Sequence, residues 1–248
     1  MEIWIYSLMS VVIVSLISLI GVFTLVLRKK FLESILLILV SFAVGGLFGD
    51  AFIHLIPEAF AKLGVRPIVS LLVLLGILIF FVLEKFIRWR HCHIPTSKAH
   101  PHPVVFMNLI GDGVHNLIDG MVIAASYMVS LPIGLATTLA VILHEIPQEI
   151  GDFGILVHGG LSTSRALGFN FLSALTAILG AVLSLIIGPF IKDYSLFILP
   201  VTAGGFIYMA GSDLIPELHL ENDARISLLQ FCAIVFGIGI MGLLLFLH

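Results

Sequence analysis

Apolar residues fall into eight long blocks along the chain, at about 4–27, 34–57, 67–88, 104–128, 133–158, 166–188, 196–218 and 226–247. A helix needs about 20 such residues to cross a hydrocarbon core about 30 Å thick, and each block is long enough. Membrane strands would instead show shorter segments of alternating apolar and polar residues. LLVLLGILIFFVL at 71–83 and CAIVFGIGIMGLLLFL at 232–247 are continuously apolar. The pattern predicts an all-α polytopic membrane protein with eight transmembrane helices. The first block carries Glu2 in place of a basic leader and meets Arg28-Lys29-Lys30 without a small-residue cleavage pattern, so it reads as a span and not as a signal peptide.

Two blocks repeat one another. GGLFGDAFIHLIPE at 45–58 aligns without a gap with GGFIYMAGSDLIPE at 204–217. These are the second and seventh spans, which run in opposite directions, as in transporters built from inverted repeats. Paired glycines and Pro-Glu also serve generally in helix packing and at helix ends, which is the simpler account. A fainter echo relates HNLIDG at 115–120 in span four to HEIPQE at 144–149 in span five.

The polar interruptions are concentrated. Span four carries Asn108, Asp112, His115, Asn116 and Asp119, and span five carries His144, Glu145, Gln148, Glu149 and Asp152. An ionisable group at the bilayer centre costs about 2.5–3.5 kcal/mol on insertion scales, so each one needs a partner, water or an ion. His115 and His144 each lie about 11 residues, or roughly 16 Å, into their spans, which places both near mid-membrane. His115 and Asp119 are one turn apart, as are His144 and Gln148, so each pair shares a helix face.

Two such faces, apposed, make a cage of imidazoles, carboxylates and amide oxygens without a thiolate. That set suits borderline divalent ions, zinc first, better than copper(I). Magnesium and calcium prefer all-oxygen shells. The same groups could line a path for protons or an organic substrate, or form a satisfied structural network. Pro147 lacks an N–H, which frees the carbonyl of Leu143 beside the polar stretch.

Further polar groups flank the cage. Asp112, Glu149 and Asp152 are candidates for a second site or relay. Asp50, His54 and Glu58 in span two, with Asp213 and Glu217 in span seven, are candidates for entrance and exit, although Glu58 and Glu217 equally suit the water interface. The 89–103 connection offers His91, Cys92, His93, His100 and His102, enough donors for a weak metal site. His158 and His219 read as interfacial residues.

With 60% apolar and 11% charged residues and a mean hydropathy of +1.19, the chain is too apolar for a soluble core. Basic residues set its orientation. One set of connections carries Arg28, Lys29, Lys30, Lys85, Arg88, Arg90, Lys98, Arg165 and Arg225; the other carries Lys62, Arg66 and Lys192. The richer set belongs in the cytoplasm, which puts both termini outside and the 89–103 connection inside. Residues 1–248 are expected to form a single transmembrane transporter domain. A net charge of -3 adds nothing about partners, and no nucleic acid is expected. Cys92 and Cys232 are far apart in sequence and suggest no disulfide framework.

Through HNLIDG and HEIPQEIGDFGILVHGG, the sequence resembles the ZIP family of zinc and iron permeases, in particular the subfamily with HE-x-P-H-E-x-G-D in its fifth span. The resemblance covers essentially the whole chain. It implies spans 1–3 and 6–8 as an inverted repeat around spans 4–5, uptake of zinc and sometimes iron, manganese or cadmium into the cytoplasm, alternating access and a homodimer. It implies no enzyme cofactor. The membrane would be the plasma or inner membrane of a prokaryote, or that of an organelle.

His115, Asn116 and Asp119 match metal ligands of the family's fourth span, and His144, Glu145 and Gln148 those of its fifth. Two departures bear on the site. Gln148 replaces a common His, leaving a weaker neutral ligand, and Ala177 stands where many relatives carry a Glu that helps hold a second metal. An intramembrane protease is disfavoured, because HEIPQ lacks the second His of HExxH. A channel could use the same cage.

Overall fold

The computed structural model describes residues 2–25, 29–89, 103–219 and 223–247, and every span expected from the apolar pattern is helical there. Span one is Glu2–Ile17, continued as a tighter turn over Ser18–Leu25. Span two is Lys29–Gly49 followed by a widened turn, Asp50–Leu55, and then Ile56–Leu63. Spans three, four and five are single helices, Pro67–Trp89, Pro103–Val129 and Leu131–His158. Span six is Thr163–Ala174 and Thr176–Ile187, span seven is Tyr194–Tyr208 followed by Met209–Leu214 and Ile215–Leu218, and span eight is Ala224–Leu244.

Six of these meet the length and hydropathy of a membrane crossing on their own. Spans four and five carry the polar groups, and the other helices pack around them. Ser130 starts span five, its hydroxyl accepting from the Ile133 N–H at 3.4 Å, with Pro132 in the first turn where no N–H is needed. Tyr127, at the end of span four, shares a 2.8 Å hydrogen bond with Ser10 of span one.

The repeat seen in the sequence is present in the backbone. In span two the Ile56 N–H reaches the carbonyl of Ala51, and in span seven Ile215 reaches Ala210, both five-residue steps that widen the helix. The two widened turns are in register, 159 residues apart like Gly45 and Gly204.

Their packing is exchanged in the same way. A Cβ on Gly45 would lie 2.1 Å from the carbonyl oxygen of Ile234 in span eight, and one on Gly204 would lie 2.0 Å from that of Val73 in span three. The reciprocal contacts are Gly237 against the Phe42 carbonyl and Gly76 against that of Val201. Span two against eight is therefore the counterpart of span seven against three, which is the geometry of an inverted repeat. Small residues permit this close backbone approach, the usual basis of helix association in a solvent that supplies no hydrophobic drive.

Spans four and six interlock likewise. A Cβ on Gly120 would stand 1.8 Å from the Ala177 carbonyl oxygen, and one on Gly180 would stand 1.9 Å from that of Leu117.

Candidate metal site

His115 and Asp119 project from one face of span four toward His144 and Glu145 of span five, and one ligand atom from each lies within 4.8 Å of all the others. His144 Nε2 is 3.1 Å from Asp119 Oδ2 and 3.7 Å from Glu145 Oε1. His115 Nε2 is 3.4 Å from Glu145 Oε1, 3.5 Å from Asp119 Oδ2 and 3.4 Å from His144 Nε2. A tetrahedral zinc with ligand bonds near 2.1 Å requires ligand atoms about 3.3–3.5 Å apart. The five separations bracket that edge length.

Local hydrogen bonding aims the lone pairs inward. The ring Nδ1 of His144 lies 3.0 Å from the Ala140 carbonyl, which can only accept, so Nδ1 carries the proton and the lone pair of the neutral ring sits on Nε2. The free oxygen of Asp119 and both oxygens of Glu145 are buried without a hydrogen-bond partner. Four electron-pair donors thus converge, an arrangement that suits a divalent cation. Two carboxylates and two neutral imidazoles balance one divalent ion, so a loaded site has no net charge in a low-dielectric interior. Phe80 and Phe206 bring their rings edgewise to His115 and His144, with centroids 6.4 and 5.9 Å away.

A cavity of about 470 Å³ leads to this cluster. Its walls include Val40 of span two, Glu84 of span three, Asn108 and Asp112 of span four, Asp152 of span five and Met209 of span seven. Each lies toward the end of its span that meets the 85–103 side, so the cavity opens there. Spans two, five and eight pack closely beside the site: Leu143 abuts Gly46, where a Cβ would come within 2.8 Å of it, and Met241 abuts Gly49 at 2.7 Å by the same measure.

The other residues expected from the sequence are distributed around this cluster. Asn116 is buried but donates to Asp112, through Nδ2 to Oδ1 at 2.8 Å. Gln148 lines the cavity beside the cluster. The Asp112 carboxylate also accepts from the Ser173 hydroxyl of span six. Asn170 of the same span donates to Glu149 Oε2 at 2.5 Å. One oxygen of Asp152 is buried without a partner.

Among the His, Cys, Asp and Glu side chains of the described residues, His115, Asp119, His144 and Glu145 are the one group with metal-ligand spacing. Ala177 is buried against span four and supplies no oxygen ligand from its side chain. Asp50 and His54 are buried, and His54 Nε2 meets the Met241 carbonyl at 2.9 Å. Glu58 lies 3.7 Å from Lys62, one turn on. Asp213 and Glu217 lie on helical backbone, but their side chains, and all of His91, Cys92, His93, His100 and His102, fall outside the described residues.

Three features escaped the sequence reading. Asn170 and Ser173 were detectable as polar residues inside an apolar span. Glu84, which accepts from the Tyr208 hydroxyl across the cavity wall, reads in the sequence as the interfacial end of span three. The widened turns had a signal only in the repeat that contains them.

A family model described as ZIP Zinc transporter matches residues 1–105 and 96–245. The chain is 36% identical over 221 residues to "Zinc transporter ZIP13" of Pongo abelii, an alignment covering 83% of this chain and 65% of that protein. It is 31% identical over 312 residues to "Zinc transporter zipt-7.1" of Caenorhabditis briggsae, covering 97% and 79%. It is 30% identical over 334 residues to "Zinc transporter SLC39A7" of Mus musculus, covering 97% and 69%.

Proposed function

The chain belongs to the ZIP zinc transporter family, one of transporters and not of enzymes, and on that premise we propose that it carries Zn2+ across its membrane through His115, Asp119, His144 and Glu145 by alternating access. The observation that carries this reading is the convergence of four donor atoms at the edge lengths of a zinc tetrahedron. Gln148 is the adjacent neutral donor on the cavity side, positioned to take over as the ion leaves. Asn116 donates through Nδ2 to Asp112 and keeps its Oδ1 buried without a partner, which leaves that oxygen available to the ion.

A cavity that reaches His115 and His144 from one end of the spans suits a carrier better than an open pore. Nine basic residues against three support a cytoplasmic cavity side with both termini outside. The conformation is then inward-facing, and the ion is released into the cytoplasm. The family resemblance further supports a homodimer, iron, manganese or cadmium as secondary substrates, and residence in a plasma, inner or organellar membrane. The positions of Asp213 and Glu217 late in span seven support an exit role for them, and Glu217 equally suits the water interface.

The test is zinc flux into proteoliposomes by the intact protein, compared with His115→Ala and His144→Ala at equal incorporation. Saturable flux lost in both variants is the expected result. Flux undiminished by either substitution would show that the cluster is not the transport site.

A further inference from the structure

The two imidazoles of the metal cluster stand at the centre of a row of four rings. Phe80 of span three meets His115 edgewise with centroids 6.4 Å apart, His115 meets His144 at 5.5 Å, and His144 meets Phe206 of span seven at 5.9 Å. The chain builds this row with the small residues that also hold the repeat together. Gly76 and Gly204 bring spans three and seven into backbone contact. Phe80, one turn past Gly76, packs against Gly205, where a Cβ would come within 2.4 Å of its ring. Both phenylalanines therefore reach the cluster from one closely packed pair of spans.

The two rings bear on how water meets the ion. Among the four ligating side chains His115 is 15% exposed and the others are 3% exposed or less, so water reaches the cluster along one route, past His115. Phe80 forms part of the wall of that route, and Phe206 is buried against His144. A phenyl ring has no lone pair for a metal and no polar group to hold a water beside one. Elsewhere around the cluster the protein supplies neutral oxygens of its own: Asn116 Oδ1 is buried without a partner, and Gln148 lines the cavity. Metals differ in what such a site offers them. Zinc is content with four nitrogen and oxygen donors, whereas manganese takes six ligands, mostly oxygens, with water among them.

We infer that Phe80 and Phe206 determine the metal preference of the transporter: they close the side of the cluster facing spans three and seven to water, and so disfavour divalent ions that need six ligands. The inference rests on the transport-site reading above and concerns two residues that ligate nothing. The apolar shell of a metal site controls the access of solvent to it, so removal of one ring admits water as a ligand while the protein donors stay in place.

Cobalt(II) reports this directly, because a four-coordinate cobalt ion absorbs visible light far more strongly than a six-coordinate one. The experiment uses the full chain in detergent with Cys92→Ser and Cys232→Ser, so that no thiolate contributes to the spectrum. The expected result is intense absorption in this protein, its loss in His144→Ala, and marked weakening in Phe80→Ala with cobalt still bound. The advantage of zinc over manganese in competition for the site should fall about tenfold in Phe80→Ala, the lower end for a change in the surroundings of a metal site. Phe80→Leu keeps carbon over the cluster and should shift both readouts less. Phe206→Ala should give the same two changes as Phe80→Ala; it removes a fully buried ring, and Phe80→Ala, on the cavity wall, carries the test if that variant does not fold.

An unchanged spectrum and an unchanged preference in Phe80→Ala would overturn the inference. So would an equal loss of affinity for both metals, the outcome of a purely structural role, or a six-coordinate spectrum before either phenylalanine is changed. Intense absorption that survives His144→Ala would instead remove the cluster as the metal site, and the inference with it.

Discussion

Replacing Gly120 by Ala adds one methyl group where spans four and six touch. Its Cβ would stand 1.8 Å from the Ala177 carbonyl oxygen and 2.9 Å from the Ala177 Cα. A comfortable carbon–oxygen contact is about 3.3–3.6 Å, so the helices must part by roughly 1.5 Å. The obstacle is backbone, which cannot swing aside as a flexible side chain would.

Overpacking of this kind costs about 1–3 kcal/mol, occasionally more, against a gain of about 1 kcal/mol in helix propensity for Gly→Ala. Because the obstacle is backbone at 1.8 Å, the cost falls at the upper end of that range, and the resulting net loss of about 2 kcal/mol lowers the melting temperature by about 4–8 °C on the scaling for chains of this size. The neighbouring residue is Asp119, so the strain reaches the metal cluster, and zinc binding should weaken by about 10- to 100-fold, as when a metal ligand loses its support.

Gly168→Ala in span six is the matched control: nothing lies within 4 Å of its added methyl, and its melting temperature should stay level or rise slightly. The assays are a thermal melt of the purified protein in detergent and zinc titration against a competing chelator. A Gly120→Ala protein that melts within 1 °C of the unmodified one, on the same scaling that gives about 4–8 °C, and binds zinc normally would refute the packing argument.

Asn170→Ala removes the side-chain amide that donates to the buried Glu149 carboxylate, and is expected to destabilise the protein by about 1–3 kcal/mol while leaving one zinc bound per chain, readable from the same melt and from metal analysis. A stoichiometry of two in the unmodified protein would contradict the single-site description. Gln148→Ala should weaken zinc binding less than Glu145→Gln, because Gln148 is a neutral donor whereas Glu145 supplies one of the two negative charges of the four-atom cluster; the reverse order in chelator titrations would place Gln148 among the primary ligands.

The sequence determined the number and extent of the helices because lipid imposes a length and an apolarity on every span, and both can be counted along the chain. It determined which two spans hold the chemistry, because a carboxylate or imidazole at mid-membrane is too costly to occur without purpose. The repeat was legible for a related reason. Gly45 and Gly204 each admit a neighbouring carbonyl, and no larger residue fits, so the same short motif recurs at both interfaces.

Which polar residues meet was decided only by the tertiary structure. Without the family resemblance, the spacing of Asp112, Asn116, Asp119 and Gln148 does not say which of them reach the imidazoles. The crossing of spans four and five brings Asp119 and Glu145 onto the two imidazoles, whereas the approach of span six, enforced at Gly120, gives Asp112 and Glu149 to Ser173 and Asn170. Hydrogen-bond geometry acts over about 3 Å, and a helix pattern specifies the face a side chain shares but not the neighbour it meets. The same limit hid the correspondence of Asp50 with Met209, since the two residues share no chemistry and are related only by opening two widened turns in the same register.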